Sequence, residues 1–370
     1  MFATTGGPVT VFDPAGSPYH SFRIPAVIRI GDRLLAFCEG RRDSAADSGQ
    51  IDVVQRISTD GGATWGPLRV VTHNDGFTCG NPAPVVDPAS GDVVLVTCRN
   101  GGDHVEKKLS RGNHPVWGRR VFVQRSPDAG DSWSEPVDVT DTVKPDDWGW
   151  YATGPCHGIA LQHTHPGRLV IPCNSTRQAT DDDDPERPYV SFGGSHCILS
   201  DDGGHTWRVG FIDRNDGLEI NANETTVTEL PDGRLYVNSR NHEGTLARTA
   251  PRVGAWSTDG GESLVAPYAP ATVITAPIIQ GSVLAHGDVV LLSVPSNPDK
   301  RQRMTIYRST DACASWREAH VVTEQLAGYS DLVDLGDRVG LLYETGAASS
   351  FATLEFTVLP ESLSSKGIHS

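Results

Sequence analysis

No stretch of this 370-residue chain approaches the ~18 consecutive apolar residues that a membrane-spanning helix needs, and Val289-Val290-Leu291-Leu292 is typical of its longest runs. Basic charge is also short. Thirty-one Lys and Arg stand against 46 Asp and Glu, a formal net charge of -15. A field of that sign repels nucleic-acid duplexes and anionic membranes, so neither is an expected partner, although a local pocket of arginines for a small anion stays compatible with it. The seven cysteines, at 38, 79, 98, 156, 173, 197 and 313, form no C-x-x-C pair and so carry neither a zinc nor a redox signature. They are expected to be mostly buried free thiols, with one disulfide as the alternative. Only His163 and His165 stand close together, without a matching carboxylate or cysteine pattern, and a surface loop is expected there. Neither a metal nor a cofactor is expected. The opening Met1-Phe2-Ala3-Thr4-Thr5-Gly6-Gly7 lacks the basic and apolar regions of a secretory leader, so either the protein stays inside the cell or its leader is missing from this sequence. A convincing long amphipathic helix is missing too.

What is plentiful is turn chemistry. With Gly 39 and Pro 25, about one residue in six is a turn-former, above average usage but far below the excess of disordered or collagen-like chains. A hydrophobic fraction of 38% and a charged fraction of 21% describe an ordinary globular protein. Length alone allows two or three domains, or one large all-β unit. Such a chain can bury a core that needs no disulfide or metal staple.

An internal repeat narrows this. The pattern Ser-x-Asp-x-Gly-x-Thr-Trp is whole at Ser58-Thr59-Asp60-Gly61-Gly62-Ala63-Thr64-Trp65 and at Ser200-Asp201-Asp202-Gly203-Gly204-His205-Thr206-Trp207. It recurs with Ser for Thr at Ser126–Trp133. It loses its tryptophan at Ser257–Leu264 and carries Cys313 in place of glycine at Ser309–Trp316. Successive starts are 68, 74, 57 and 52 residues apart. Physically the motif reads as a hairpin turn: Asp and Ser bond turn amides, Gly supplies a positive φ, and Trp packs beneath. Each copy follows a β-rich run such as Ile51–Ile57, and turn signals such as Pro231-Asp232-Gly233 separate the runs. Units of this size with several short strands predict an all-β protein, a six-bladed β-propeller in which one blade lacks the motif, forming one domain over residues 1–370. A β-sandwich is the alternative, and it leaves the fivefold recurrence unexplained. The acidic Asp181-Asp182-Asp183-Asp184-Pro185 is expected to be a solvated loop tip, with calcium binding as the alternative.

The repeat resembles the Asp box of sialidases, and Phe22-Arg23-Ile24-Pro25 resembles that family's F/Y-R-I-P motif. The resemblance runs from about residue 19 to about residue 356 and identifies the chain as a sialidase-like glycosidase acting on terminal sialic acids of glycans. Such a sugar carries a carboxylate on its anomeric carbon. Planar bidentate binding of a carboxylate is arginine's property. The resemblance implies three converging arginines: Arg23; Arg240 in Tyr236-Val237-Asn238-Ser239-Arg240-Asn241; and a third in Lys300-Arg301-Gln302-Arg303-Met304-Thr305, where the register favours Arg301 over Arg303.

An anionic nucleophile would be repelled by the substrate carboxylate, and sialidases use a tyrosine in retaining hydrolysis. Ala327-Gly328-Tyr329-Ser330-Asp331-Leu332 resembles the family's Y-S-D-L segment and makes Tyr329 the candidate nucleophile. A phenol of pKa near 10 needs a base at moderate pH, and the matching residue is Glu224 in Asn221–Val227. In the stretch Glu39–Asp52 the register assigns Asp47 as general acid/base, with Asp43 as its competitor, and Arg41 as a pocket arginine. Leu342-Tyr343-Glu344 implies that Glu344 orients Arg23. Gly80-Asn81-Pro82 makes Asn81 a sugar contact. Cys156 stands where the family's G-P-G-x-G-I stretch has a glycine. Trp148, Trp150 and Tyr151 are candidates to cover the glycerol arm or the leaving group, or else to fill the core. The expectation is therefore a retaining, metal-independent exo-α-sialidase with a moderately acidic optimum. A trans-sialidase, a relative preferring the deaminated sugar Kdn, and an inert glycan-binding propeller are the alternatives. Linkage preference and oligomeric state are not legible.

Overall fold

Short apolar and alternating runs, each closed by a Gly, Pro or Asp turn, make strands almost throughout the computed structural model. It describes residues 7–101, 109, 118–177, 193–215, 217–271 and 273–363. The first six residues and the acidic run Asp181–Asp184 lie outside the described residues.

After β1 (Val9–Phe12) the chain folds into successive antiparallel meanders. The first is β2 (Ser21–Ile30), β3 (Arg33–Arg41), β4 (Ile51–Ser58) and β5 (Arg69–Thr72). The second is β6 (Thr78–Val86), β7 (Val93–Asn100), β8 (Arg120–Ser126) and β9 (Val137–Asp138). Next come β10 (Trp148–Thr153), β11 (Ile159–Ala160), β12 (Leu169–Arg177), β13 (Gly193–Ser200) and β14 (Arg208–Ile212). A four-stranded sheet follows: β15 (Ala222–Glu229), β16 (Leu235–Asn241), β17 (Arg252–Ser257) and β18 (Ala269–Pro270). The last sheet holds β19 (Ser282–His286), β20 (Val289–Pro295), β21 (Gln302–Ser309), β22 (Arg317–Asp334), β23 (Val339–Gly346) and β24 (Thr353–Val358), with β1 paired to β24. Strand β22 is long because it serves twice. Its first half pairs with β21, and its second half pairs with β23.

The leading strands pack against one another in a cycle. Strand β2 meets β6, β6 meets β10 and β11, β11 meets β15, β15 meets β19, β19 meets β22, and β22 returns to β2. These strands have neighbours on both faces, and β2 is buried from Ser21 to Ile28. The apolar core lies in layers between consecutive sheets. One layer, around Phe12, Phe22, Leu34, Leu342 and Phe356, joins the start of the chain to its end.

All five repeats make the turn that the sequence predicts, at the β4–β5, β8–β9, β13–β14, β17–β18 and β21–β22 connections. In the first, Ser58 Oγ accepts from the Gly62 N–H (2.9 Å), and the Asp60 carboxylate accepts from the Thr64 N–H (2.9 Å) and hydroxyl (2.6 Å). The same set recurs about Asp128, Asp202, Asp259 and Asp311. Cys313 takes the glycine's place at φ 63°, and Leu264 is buried where the fourth copy lacks tryptophan. All seven cysteines are free and buried, as expected.

Candidate active site

Antiparallel strands alternate direction, so the two ends of the sheets carry different loops. The five Asp-box turns fall at one end. At the other lie the starts of β2, β6 and β15, the ends of β3, β12 and β16, and the loop between β3 and β4. A cavity of about 250 Å³ opens there, lined by residues from every meander.

The strands entering the cavity share an irregularity. Pairing slips between Arg23 and Ala26, Gly80 and Ala83, Trp148 and Tyr151, Ala222 and Thr225, and Ala327 and Ser330. A bulge leaves residues unpaired and re-aims their side chains. Arg23, Asn81, Trp150, Glu224 and Tyr329 all stand in or beside these slips and all line the cavity. Ile24 and Asn81 adopt positive φ, 61° and 53°, each directly before a proline.

The arginines converge. Arg23, Arg240 and Arg301 line the cavity together, and the guanidinium carbons of Arg23 and Arg301 lie 5.4 and 5.6 Å from the Tyr329 ring centre. Arg303 turns outward at φ 67° and pairs with Glu318 at 2.7 Å, so of the two candidates it is Arg301 that reaches the cavity. Arg301 has no carboxylate partner among the described residues.

Tyr329 donates its hydroxyl hydrogen to Glu224 Oε1, and Arg240 Nη1 reaches Glu224 Oε2 (2.9 Å) and the Tyr329 oxygen (3.4 Å). Burial, then the neighbouring Glu224 carboxylate, push the phenol's pKa up. Burial acts against ionisation of Glu224 as well, but Arg240 and the Tyr329 hydrogen bond outweigh it and hold that carboxyl below its usual range. The resting pair is thus a neutral phenol on a carboxylate. His242, beside them, is held down to about 4 by burial and by Arg240, so it is neutral at pH values well above that.

Asp47 stands at the mouth on the β3–β4 loop, 2.7 Å from Arg41 Nη2. Its competitor Asp43 is on the same loop and exposed as Asp47 is, but it is not among the lining residues. Two buried glutamates brace the arginines. Glu344 Oε1 accepts from Arg23 Nε (2.7 Å) and the Ile24 N–H (3.0 Å), while Oε2 accepts from the Tyr329 N–H (3.0 Å). Glu39 does the same one meander on, holding Arg41 with Oε2 and the Asn81 N–H with Oε1 (2.8 Å). Each carboxylate fits because a glycine faces it: a Cβ at Gly328 or Gly80 would collide with Glu344 or Glu39.

Several lining residues have no assigned role in the sequence reading: Glu39, Arg119, Asn174, Asn223 and His242. Arg119 is buried, stacks over Trp150 (4.2 Å) and donates to Asn81 Oδ1, the Asn100 side chain and the Tyr151 carbonyl. Nothing local marks it, because it precedes β8 outside any motif. Of the three aromatics, Trp150 lines the cavity, whereas Trp148 and Tyr151 pack on His196 in the core. Five arginines against the carboxylates of Glu39, Asp47 and Glu224 make the cavity a site for an anion.

Residues 32–343 match the BNR repeat-like domain family. The exo-alpha-sialidase of Aspergillus fumigatus is 32% identical over 365 residues, covering 89% of this chain and 80% of that protein. This chain belongs to the sialidase family. It is a glycoside hydrolase on a propeller scaffold. The Hadza microbial sialidase Hz136 superposes on this sialidase with a TM-score of 0.81 and 25% identity, over 95% of this chain and 68% of the other. A leech intramolecular trans-sialidase shares the fold at a TM-score of 0.80 with 18% identity, over 98% and 71% of the two chains.

Proposed function

We propose that this sialidase is a retaining exo-α-sialidase that hydrolyses terminal sialic acids of glycoconjugates through a tyrosyl-enzyme intermediate. One observation carries the reading: the Tyr329 hydroxyl is bonded to Glu224 inside the cavity where Arg23, Arg240 and Arg301 converge. The three guanidiniums bind the substrate carboxylate and so place the anomeric carbon over the phenol. Tyr329 attacks that carbon and gives its proton to Glu224. Asp47 protonates the departing glycosidic oxygen as the C–O bond breaks. In the second half Asp47 takes a proton from water, which attacks the same carbon, and the phenolate leaves and regains its proton from Glu224. Two inversions give net retention.

The scaffold we propose is one catalytic domain of six blades. The cyclic contacts of the leading strands support this, with β22 shared between the fifth and sixth blades and β1 completing the sixth. A fluorogenic sialoside assay from pH 4 to 8 tests the hydrolase, with product analysis separating free sugar from transfer products. Tyr329→Phe is expected to lower kcat by roughly 10³-fold or more. A fully active Tyr329→Phe enzyme removes Tyr329 as nucleophile.

A further inference from the structure

Tyr329 lies in the slip between Ala327 and Ser330, where β22 loses its ladder to β23. It is also on an innermost strand, and among the described residues no strand other than β23 pairs with β22 at Ser330. The Ser330 peptide groups are nevertheless satisfied. Gln280 Oε1 accepts from the Ser330 N–H (3.0 Å), and Gln280 Nε2 donates to the Ser330 carbonyl (2.9 Å). A primary amide offers an acceptor and a donor side by side, as a peptide unit does. The Gln280 side chain therefore stands in for one residue of a neighbouring strand.

Gln280 is itself buried and held. Its Nε2 also reaches the carbonyl of Pro155, a cavity-lining residue, at 3.4 Å. The carbonyl just before it, Ile279 O, accepts from Arg252 Nη1 at 2.8 Å. Arg252 is fully buried and also donates from Nε and Nη2 to Asn238 Oδ1, at 2.8 and 2.5 Å. It is also the ladder partner of Arg240, the arginine that touches both Glu224 and the Tyr329 hydroxyl. One hydrogen-bonded path thus runs from the strand pair carrying Arg240, through Arg252 and Gln280, to the peptide following Tyr329.

We propose that Gln280 is a positioning residue that sets the reach of the Tyr329 phenol toward the anomeric carbon, and that Arg252 holds Gln280 in register. This rests on the reading of Tyr329 as nucleophile. With the amide gone, residues 328 and 329 stay outside the ladder, held by the Tyr329 N–H on Glu344 and by the Ser330 hydroxyl on Ser293 (2.8 Å), while the Ser330 peptide groups lose their partner and the phenol loses its fixed approach. Substrate binding, carried by the arginines, is untouched.

The test compares Gln280→Leu and Gln280→Glu with wild type, reading kcat on an aryl sialoside and the calorimetric Kd for free N-acetylneuraminic acid. The expected result is a kcat roughly 10- to 100-fold lower, in line with a misplacement of about 1 Å, with Kd within about threefold. Gln280→Glu keeps the acceptor for the Ser330 N–H and regains a donor only when protonated, so its kcat relative to wild type should rise as pH falls. The Arg252 charge, the Glu224–Arg240 pair and the Asp331–His157 pair lie near this position in both proteins, and the Gln280→Leu to wild-type ratio over the same pH range, which involves no new carboxyl, is the control for them. This second variant keeps the test decisive where leucine prevents folding. In a Tyr329→Phe background, Gln280→Leu should add no further loss. Wild-type kcat in Gln280→Leu, a Gln280→Glu to wild-type kcat ratio that does not change with pH, an equal fall in affinity, or the same loss in both backgrounds overturns the inference while leaving the nucleophile in place. An active Tyr329→Phe enzyme overturns both together.

Discussion

Asp47 stands in a field of guanidinium groups, and that field bears on when it can donate a proton. The crowded cavity mouth takes some water from it, which opposes ionisation although the side chain stays exposed, and Arg41 and Arg23 outweigh this and hold the carboxyl below its usual range. A general acid must begin protonated, so the rate falls as pH rises through this pKa. A bound substrate carboxylate cancels much of the charge on Arg23, Arg240 and Arg301, which moves the Asp47 pKa up in the complex. The falling limb of kcat/KM, which reports the free enzyme, should therefore lie at lower pH than the falling limb of kcat. Glycosides with poor leaving groups check this, because protonation of the leaving oxygen then limits turnover. Coincident limbs, or the reverse order, exclude Asp47 as the acid in this field. A second residue-scale feature is the paired brace of Glu344 and Glu39. Each links a cavity arginine to a backbone amide near a bulge, so the arginine's direction and the bulge's shape are set together.

At the scale of the element, the Asp-box turn is a small hydrogen-bonded unit repeated five times, away from the cavity. Asp128 is held at about 2 by hydrogen bonds from the Ser132 hydroxyl and amide. A carboxyl whose folded pKa lies below its unfolded value of about 4 adds stability above that value, and the contribution disappears as pH falls through about 2. Asp128→Asn keeps one acceptor but no charge. It should lower the urea midpoint near neutral pH, and its gap to wild type should close between about pH 4 and about pH 2. A gap that persists unchanged at low pH means that the charge contributes nothing. The turn motif was readable in the sequence because its side chains bond within eight residues. The bulges were not readable, although they aim the functional side chains. A slip is defined by the partner strand, and nothing in Gly80-Asn81-Pro82 or Gly328-Tyr329-Ser330 alone says which residue opposes which.

For the whole molecule the decisive contact is between the two ends of the described chain. Strand β1 pairs with β24, and its Phe12 is fully buried beside Phe22 and Phe356. Without β1 the last sheet would present an unpaired edge, and the core layer between last and first meanders would open. Phe12→Ala should cost about 3–5 kcal/mol of unfolding free energy, the usual range for truncating a buried aromatic. Chemical denaturation measures it. A loss under about 1 kcal/mol would mean that β1 does not hold the ring together. The net charge of -15 belongs to the whole chain, yet the cavity collects five arginines against three carboxylates.

The sequence by itself determined the all-β class, the repeated turn and the residue types that an anionic sugar demands. Those depend on local periodicity, on bonds within a turn and on the chemistry of a carboxylate. The resemblance of its contiguous motifs to a known family also pointed to Arg23, Arg240, Glu224 and Tyr329 as site residues. Tertiary structure decided what depends on convergence across blades. It turned Arg301 inward and Arg303 toward Glu318, set Asp47 rather than Asp43 at the cavity, and brought in Arg119, His242 and Gln280. Those residues lie far apart along the chain and meet only because the strands return to one axis.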